Sequence, residues 1–438
     1  MLKCDVLVIG GGTAGCACAY IAAKRGLNVV LVEKTINLGG TMTSGLVIPM
    51  MFSGENQINT EFFTDLAENM KKLGGQITYQ NNPGWFNPEL LKIALDIMLK
   101  RVGVKILFNS EINDIKINNC KVEHAGITTE ILSTYNDKIY SNNSSGYSIN
   151  ILSEYIEAKY YVDGTGNANF CQKISCKFLT NENKNQPVSL RFIMSGVNLE
   201  RLSEFLLDID SDRDVTTVEH TDSGIHLSTA YTWDTDKHWA LAPLFEKAVA
   251  ENTLKDTDRN YFQIFSVAGT PDSVAFNCPR ILKYPNSKDI FEYSDVITEA
   301  RESILRLSNF CKKYLPGFEN AYISNIANSV GVRVSNRVKG KYIYTSEDLK
   351  SGKKFRNPVL ISNYPIDIHS DQKNTSTLEH NGEYQLPIES LMTYDYENVF
   401  VIGRCLSADF EAQAALRVQA SCFSMGEGVA KYIAGIIK

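Results

Sequence analysis

The chain has 438 residues, of which 44% are hydrophobic, 10% aromatic and 21% charged, a composition typical of a globular protein with two or three domains. Its formal net charge of −6, without a basic stripe, argues against nucleic acid as the main partner. No run of about 18 apolar residues occurs, and the first apolar stretch enters a glycine turn, so we predict neither a membrane span nor an export signal. The ten cysteines include no CxxC pair, which indicates reduced, mostly buried thiols in a cytoplasmic protein without a metal or iron–sulfur site.

The N-terminal segment has the pattern of a dinucleotide-binding β-α-β unit. A short apolar strand is followed by Gly10, Gly12 and Gly15, then by small residues suited to a helix, and then by a second strand at 28–33. The first glycine permits the tight turn, the second lets a phosphate approach the backbone, and the third allows close packing of helix and strand. Glu33, at the end of the second strand, is placed to accept hydrogen bonds from ribose hydroxyls. NAD and FAD both fit this unit.

Further elements follow along the chain. In chain order we predict helices over 60–73 and 88–101, strands over 104–109 and 111–117, an antiparallel meander over 120–160 with a turn at 141–146, a strand into a glycine turn at 160–166, an amphipathic helix over 293–314, a strand at 399–402 and a small-residue helix over 417–435.

Three more segments favour FAD over NAD. A second glycine loop, 39–45, follows Lys34 and suits a longer dinucleotide whose ribityl chain extends beyond the pyrophosphate. The Asp163–Gly166 turn can pack close to the phosphates, although an ordinary turn is an equal alternative. The strand at 399–402 leads to Arg417 and a helix whose N-terminus would stabilise the anionic reduced flavin. We predict non-covalent FAD, because no histidine lies in an attachment motif.

Six segments carry a wider resemblance: GGGTAG at 10–15, GGTMTSGLV at 39–47, VDGTGNA at 162–168, GVRVSNRV at 331–338, YPIDIH at 364–369 and GRCLSADFEAQAALRVQASC at 403–422. Through them the chain resembles the FAD-dependent oxidoreductases that share the glutathione-reductase-like cofactor fold, a family related to the flavoprotein subunits of fumarate reductase and heterodisulfide reductase. The chain departs from the family pattern at Val334, where an acidic residue is usual, and at Asn167, where Asp is common.

The resemblance implies a set of cofactor-binding residues. Those near the ADP half, including the adenine edge at Glu111 and Ile112, are Gly10, Gly12, Thr13, Ala14, Gly15, Glu33, Lys34 and Ile112. Those along the pyrophosphate, ribityl chain and isoalloxazine are Gly40, Thr41, Thr43, Ser44, Gly164, Gly166, Gly403, Arg404, Arg417 and Val418.

The chemistry is expected farther along the chain. His369 is the first candidate for an acid or base, with Asp367 either orienting it or capping a turn, and Tyr364 as a hydrogen-bond donor or a packing residue. Arg280 and Arg333 are candidates for gripping a substrate carboxylate, or for structural ion pairs. We also count Arg404 among the catalytic candidates. Its neighbour Cys405 is either a buried thiol, which we favour, or a redox or attachment group.

We therefore predict an α/β plus α+β fold: a discontinuous Rossmann-like FAD-binding domain at 1–50, 88–180 and 390–438, a β-rich substrate domain at 181–389, and a helical excursion near the flavin at 51–87. The predicted function is hydride exchange between flavin N5 and a small anionic organic substrate. No second Rossmann unit is visible, so electrons would come from the substrate, from NAD(P)H or from a carrier protein. Two alternatives stay open: a flavin-containing RNA-modification or assembly factor, and an NAD-dependent dehydrogenase without flavin.

Overall fold

The structure is a computed structural model. It describes residues 1–51, 53–137, 144–180, 184–221, 223–232, 239–281, 289–369, 376–378 and 382–437. Of the predicted turn at 141–146, residues 141–143 lie outside this described part.

Ten α-helices are formed by the described residues. They are α1 (Thr13–Lys24), α2 (Glu61–Lys72), α3 (Pro88–Arg101), α4 (Asn169–Lys173), α5 (Leu199–Ile209), α6 (Ala242–Ala250), α7 (Glu292–Tyr314), α8 (Ser346–Lys350), α9 (Phe410–Leu416) and α10 (Gln419–Ile437).

In the described part of the chain, the strands form two large sheets and four small two-stranded sheets. They are β1 (Leu2–Ile9), β2 (Val29–Val32), β3 (Gln76–Tyr79), β4 (Asn82–Phe86), β5 (Lys105–Leu107), β6 (Ser110–Asn118), β7 (Lys121–Asp137), β8 (Ser144–Asp163), β9 (Val188–Ser189), β10 (Phe192–Ser195), β11 (Thr216–Thr221), β12 (Gly224–Thr232), β13 (Tyr261–Ser266), β14 (Val274–Phe276), β15 (Arg280–Ile281), β16 (Tyr322–Ile326), β17 (Pro358–Ser362), β18 (Ile366–Ile368), β19 (Ser376–Leu378), β20 (Tyr384–Pro387) and β21 (Val399–Val401).

The first large sheet has the strand order β5-β2-β1-β8-β7-β6, with β21 also paired to β8. Strand β1 runs parallel to both β2 and β8, with Ile9 opposite Val32 and Asp163. The carboxyl ends of these three strands therefore meet at one edge, which is where α/β sheets bind ligands. The other half of β8 pairs antiparallel with β7, and β7 with β6, as the predicted meander requires.

Helices α1 and α10 cover the parallel part of this sheet. Both consist mainly of small residues, and they pack so closely that a Cβ added at Gly426 would lie 2.2 Å from the Ala14 carbonyl oxygen. Such an approach is possible only without a side chain at that position. The small-residue pattern of both segments thus reflects close helix packing.

The second large sheet is antiparallel, in the order β11-β12-β13-β14-β10-β16. Its inner face is aromatic: the rings of Phe192 and Phe276 stack at 4.1 Å between centroids, and Phe262 packs edge-on against Phe276. Phe310 of α7 joins the same cluster through Phe262. This sheet lies within the segment predicted to be β-rich.

Two predicted elements differ in detail. The predicted helical excursion at 51–87 contains α2 but also the β3–β4 hairpin, which the helix-period pattern did not indicate. The predicted helix over 417–435 begins at Gln419 and is preceded by a separate helix, α9. The chain turns at Arg417 and Val418, and this break directs both residues to the cavity described below.

The fold is therefore mixed α/β, with a parallel Rossmann-type sheet and separate antiparallel sheets, as predicted. Among the described helices, none combines the length and the apolar character that crossing a membrane requires. The proposed boundaries of the cofactor and substrate domains stay a prediction.

Candidate active site

A single cavity of about 970 Å³ extends from the carboxyl edge of the parallel sheet to the antiparallel sheet. At one end it is lined by the Gly10–Ala14 turn and by Glu33, and at the other by Arg191, Tyr261 and His369. Its volume is in the range of cofactor sites. Segments that are far apart in the sequence thus line one continuous cavity.

The glycine turn is built by contacts that leave no room for side chains. Gly10 has a φ of +98°, and a Cβ there would lie 2.7 Å from the Gly164 carbonyl oxygen. A Cβ at Gly15 would lie 1.9 Å from the Gly10 carbonyl oxygen, and one at Gly40 would lie 2.9 Å from the Gly12 Cα. The three glycine-rich segments therefore meet backbone to backbone and form a cradle at the start of α1, where free N–H groups favour an anion.

Glu33 is held rigidly beside this turn. One carboxylate oxygen accepts a hydrogen bond from Gly11 N at 2.8 Å, and the other accepts from Thr35 N at 3.0 Å and Thr35 Oγ1 at 2.9 Å. The side chain is buried yet lines the cavity. A carboxylate has about four acceptor positions, so it keeps capacity for a ligand hydroxyl.

Asp163 lies behind the turn that contains Gly164 and Gly166. It is fully buried, and its carboxylate accepts hydrogen bonds from Thr165 N, Thr165 Oγ1 and Cys171 N. These contacts stabilise the turn and the start of α4. Asp163 thus shapes the loop whose glycines line the cavity, and is absent from the lining itself.

Nearly all residues predicted to bind the cofactor line the cavity. The exceptions are Gly15, which is buried against Gly10, and Thr43, whose hydroxyl donates to the Leu38 carbonyl. The lining members are Gly10, Gly12, Thr13, Ala14, Glu33, Lys34, Gly40, Thr41, Ser44, Ile112, Gly164, Gly166, Gly403, Arg404, Arg417 and Val418.

Arg404 joins three of the motif segments. Its guanidinium donates to the Gly166 carbonyl at 2.8 Å, the Val332 carbonyl at 2.9 Å and Asn167 Oδ1 at 2.7 Å. All three guanidinium nitrogens are therefore used within the protein. This geometry favours a structural tie and leaves little capacity for a substrate anion, although Arg404 was a catalytic candidate.

The other end of the cavity holds a cluster of arginines. Arg191, Arg280 and Arg333 are buried, and the Arg417 side chain is 14% exposed. Arg417 donates to both the carbonyl and the carboxylate of Asp367 at 3.1 Å. Among the described residues, Asp367 is the acidic residue that lies with these four guanidinium groups. We call these five residues the arginine cluster.

The other three arginines of the cluster have neutral partners. The Arg280 guanidinium lies 3.5 Å above the Tyr261 ring, and Arg333 donates to the Pro187 carbonyl at 2.6 Å. Arg191 has one long hydrogen bond, 3.5 Å, to the Leu46 carbonyl. Desolvation, with repulsion from the neighbouring arginines, lowers the pKa of Arg191 to about 10 and that of Arg333 well below its ordinary value.

His369 lies between two charged members of the cluster. Arg280 Nη2 is 2.6 Å from His369 Nδ1, and His369 Nε2 is 3.2 Å from Asp367 Oδ2. Because a guanidinium only donates, Nδ1 must accept, and the proton of the neutral ring lies on Nε2 and is donated to Asp367. Burial lowers the pKa of His369 to about 3, although the Asp367 hydrogen bond opposes this shift. Both ring nitrogens are occupied and the ring is neutral, which does not favour an acid or base role.

Tyr364 lines the same cavity. Its hydroxyl makes no hydrogen bond with the described part of the chain, and desolvation raises the pKa of the phenol above its ordinary value. The group therefore keeps its proton and can donate it to a ligand. Of the predicted chemical candidates, Arg280 does not line the cavity itself but contacts Tyr261 and His369, which do.

Sequence reasoning missed Arg191, Tyr261, Gln263 and Asn277, which line the substrate end. Arg191 had one usable signal, since it is a single charge inside the otherwise apolar run 190–194. A buried charge in an apolar strand is rare unless it is paired or functional. The three other residues had no distinctive spacing.

The glycine turn, the fixed acid and the continuous cavity define a dinucleotide-binding protein of the Rossmann type. Over residues 5–438 the chain matches the model of the FAD dependent oxidoreductase family, and it belongs to that family. It is thus an enzyme whose cofactor is FAD, and the alternative of an NAD enzyme without flavin is excluded. The backbone cradle and the second glycine loop fit such a cofactor.

Relatives match only part of the chain. Thiamine thiazole synthase from Pyrococcus horikoshii is 29% identical over 169 residues, 38% of this chain and 58% of that protein. The enzyme of the same name from Pyrococcus abyssi is 28% identical over the same shares. The chain therefore spans less than two thirds of these relatives. A geranylgeranyl bacteriochlorophyll reductase-like protein from Thermoplasma acidophilum is 14% identical, with a TM-score of 0.44 over 100% of this chain and 79% of that one.

Proposed function

We propose that this FAD-dependent oxidoreductase exchanges a hydride with a small anionic organic substrate that the arginine cluster binds. The observation that supports it is the imbalance of charge: among the described residues, four guanidinium groups lie beside one carboxylate, that of Asp367. Burying cations without partners is costly, and the pKa shifts of Arg191 and Arg333 reflect that cost. An anionic ligand would relieve it.

FAD would occupy the opposite part of the same cavity. We assign the pyrophosphate to the backbone cradle of Gly10–Ala14 and Gly40, and a ribose to Glu33. The flavin end would then lie near Gly403, Val418 and the N-terminus of α10. When bound, FAD supplies a two-electron carrier. Binding is proposed to be non-covalent, because burial raises the pKa of the Cys405 thiol and keeps it protonated.

We assign anion binding, positioning and proton transfer to different side chains at the arginine end of the cavity. Arg333 lines the cavity and is proposed to bind the anion, with Arg280 supporting it from behind Tyr261. His369 is proposed to position Arg280 and Asp367. Tyr364 is proposed to hold the proton that accompanies the reaction, because it lines the cavity and its hydroxyl makes no hydrogen bond with the described residues.

The test begins with the purified protein and its visible absorbance. Flavin absorbance should be present, or should appear after reconstitution with FAD. Under anaerobic conditions, organic acids from a panel and NAD(P)H are then added separately, and bleaching of the flavin is recorded. Each acid is paired with its uncharged amide. We expect bleaching by an acid and none by its amide. Equal bleaching by acid and amide would contradict the anionic substrate, and a protein that stays colourless with FAD would contradict the whole proposal.

A further inference from the structure

The arginine cluster has more positive charge than one carboxylate can balance. Arg191, Arg280, Arg333 and Arg417 contribute four charges, and Asp367 contributes one opposing charge, so three positive charges remain within the described part of the chain. Hydrogen bonds and fields from Tyr261, His369 and carbonyl oxygens solvate these cations but do not neutralise them. A substrate with one negative group would leave two of the three charges uncompensated.

The arginine cluster also has hydrogen-bond donors that the described residues leave without an acceptor. The Nε atoms of Arg191, Arg280 and Arg417 are buried and make no hydrogen bond with the described part of the chain. A buried donor on a charged group that lacks a partner is strongly unfavourable. A carboxylate bound to one guanidinium in bidentate geometry directs both of its oxygens toward that group. Arg191 and Arg417 line the cavity with separate guanidinium edges, so together they favour a ligand with acceptor oxygens on more than one group.

Resting on the function proposed above, we propose that the substrate carries two negative charges, as in a dicarboxylate or a phosphomonoester, and that Arg191 selects it over a monoanion. A dicarboxylate and a phosphomonoester share the features that the cluster would recognise: two negative charges and several acceptor oxygens. Bound to the cluster, it would reduce the uncompensated charge from three to one. Direct contact with the anion is assigned to Arg191, Arg333 and Arg417, which line the cavity.

Arg191 is the selecting residue because its own protein contacts are the weakest. Arg417 is paired with Asp367, Arg280 stacks on Tyr261, and Arg333 has a short bond to Pro187. Among the described residues, Arg191 makes one hydrogen bond, 3.5 Å long, to the Leu46 carbonyl, and its buried Nε makes none. Its charge is therefore the one most dependent on the ligand.

The experiment uses FAD-loaded protein and non-reacting anions at constant ionic strength. Acetate, malonate, succinate and inorganic phosphate are titrated separately, and the flavin spectrum and the thermal midpoint are recorded as two readouts of binding. We expect malonate, succinate or phosphate to bind at least about 10-fold more tightly than acetate, the effect of one extra charge-assisted hydrogen-bonded contact. The dicarboxylate and phosphate arms distinguish the two kinds of dianion.

Arg191→Met tests the selecting residue. It should weaken binding of the preferred dianion roughly 10- to 100-fold and change acetate binding by less than about 3-fold. The matched control is Arg101→Met, which removes an exposed arginine at the end of α3 and should change neither. Arg191→Lys keeps the charge without the planar fork and should lie between wild type and Arg191→Met. It also serves if the methionine variant fails to fold.

The outcomes separate this inference from the proposed function. If acetate binds as tightly as every dianion, the dianion proposal is overturned while an anionic substrate survives. If no anion binds and only uncharged compounds bleach the flavin, the proposed function itself fails. If dianions are preferred but both Arg191 variants bind them like wild type, the selecting role of Arg191 is overturned.

Discussion

His369 shows how neighbours decide what a residue can do. An isolated histidine with a pKa near 6.5 is suited to proton transfer at neutral pH. Here Arg280 occupies one ring nitrogen and Asp367 the other, and burial stabilises the neutral ring. The neutral ring thus lies between a cation and an anion, which is why we propose a positioning role for it.

The pH dependence of flavin reduction follows from this arrangement. With a folded-state pKa of about 3, His369 stays neutral from pH 5 to pH 8, since both lie above that value. We expect kcat/KM for flavin reduction to show no inflection near pH 6.5. The measurement is stopped-flow reduction across this range with wild type and His369→Gln. The variant should lower the rate at all pH values by a similar factor. An inflection near 6.5 that disappears in the variant would instead identify His369 as the acid or base.

Tyr364 is the residue expected to affect the chemical step. Tyr364→Phe removes the hydroxyl of a cavity-lining residue but keeps the ring, so folding and FAD content should be unchanged. General acid or base catalysis is typically worth about 10²- to 10⁴-fold, and we expect kcat to fall at least about 10-fold with KM changed little. Steady-state kinetics check this. The control is Tyr293→Phe, at another cavity-lining tyrosine, whose side chain is exposed. A change in KM alone would assign Tyr364 to binding.

At the scale of elements, the packing of α1 against α10 positions two helix N-termini at the cavity. Helix α1 begins at the glycine turn, and α10 begins where Gln419 bonds the Val47 carbonyl, so both helix N-termini lie at the cavity. The two helices are in close contact through small residues. A shift of one helix would therefore move the N-terminus of the other. Small residues in both segments were visible in the sequence, whereas their mutual contact was not.

Two glycines of α10 provide a matched test of this packing. A Cβ at Gly426 would lie 2.2 Å from the Ala14 backbone, while one at Gly435 would have no neighbour within 4 Å. We expect Gly426→Ala to reduce the free energy of unfolding by roughly 1–3 kcal/mol and to reduce FAD retention, because the helices must separate. Gly435→Ala should be neutral or stabilising by up to about 1 kcal/mol, since alanine favours helix. Urea unfolding and flavin content check both, and equal effects would contradict the packing argument.

At the scale of the whole molecule, one cavity is assembled from widely separated segments. Arg404 joins the loops at 166–167 and 332 to the C-terminal block, and Gln413 donates to the carbonyls of Arg333 and Arg404. A ligand that spans these segments is expected to hold them together. Stability and cofactor binding should therefore be linked.

Removal of FAD tests this linkage. A ligand present at 100 to 1,000 times its Kd stabilises the folded state by roughly 3–4 kcal/mol. We expect FAD-free protein to unfold at a lower temperature than holoprotein, and reloading with FAD to restore the midpoint. Differential scanning fluorimetry with increasing FAD measures this, and AMP is a partial ligand for comparison. An unchanged midpoint in protein with a full complement of flavin would show that FAD does not bridge the segments.

What the sequence determined by itself is the cofactor end of the molecule. The glycine turn, Glu33 and the helix α3 at 88–101 depend on local geometry, in which a few neighbouring residues dictate the backbone, and all three lie as predicted. The substrate end depended on tertiary structure. Arg191, Tyr261, Arg333, Asp367 and Arg417 come from different segments, and their charges interact only once the antiparallel sheet and the C-terminal block are brought together. Electrostatic interaction depends on distance in space and on burial, neither of which a linear sequence contains. The same folding that brings these guanidinium groups near Asp367 also places His369 between Arg280 and Asp367.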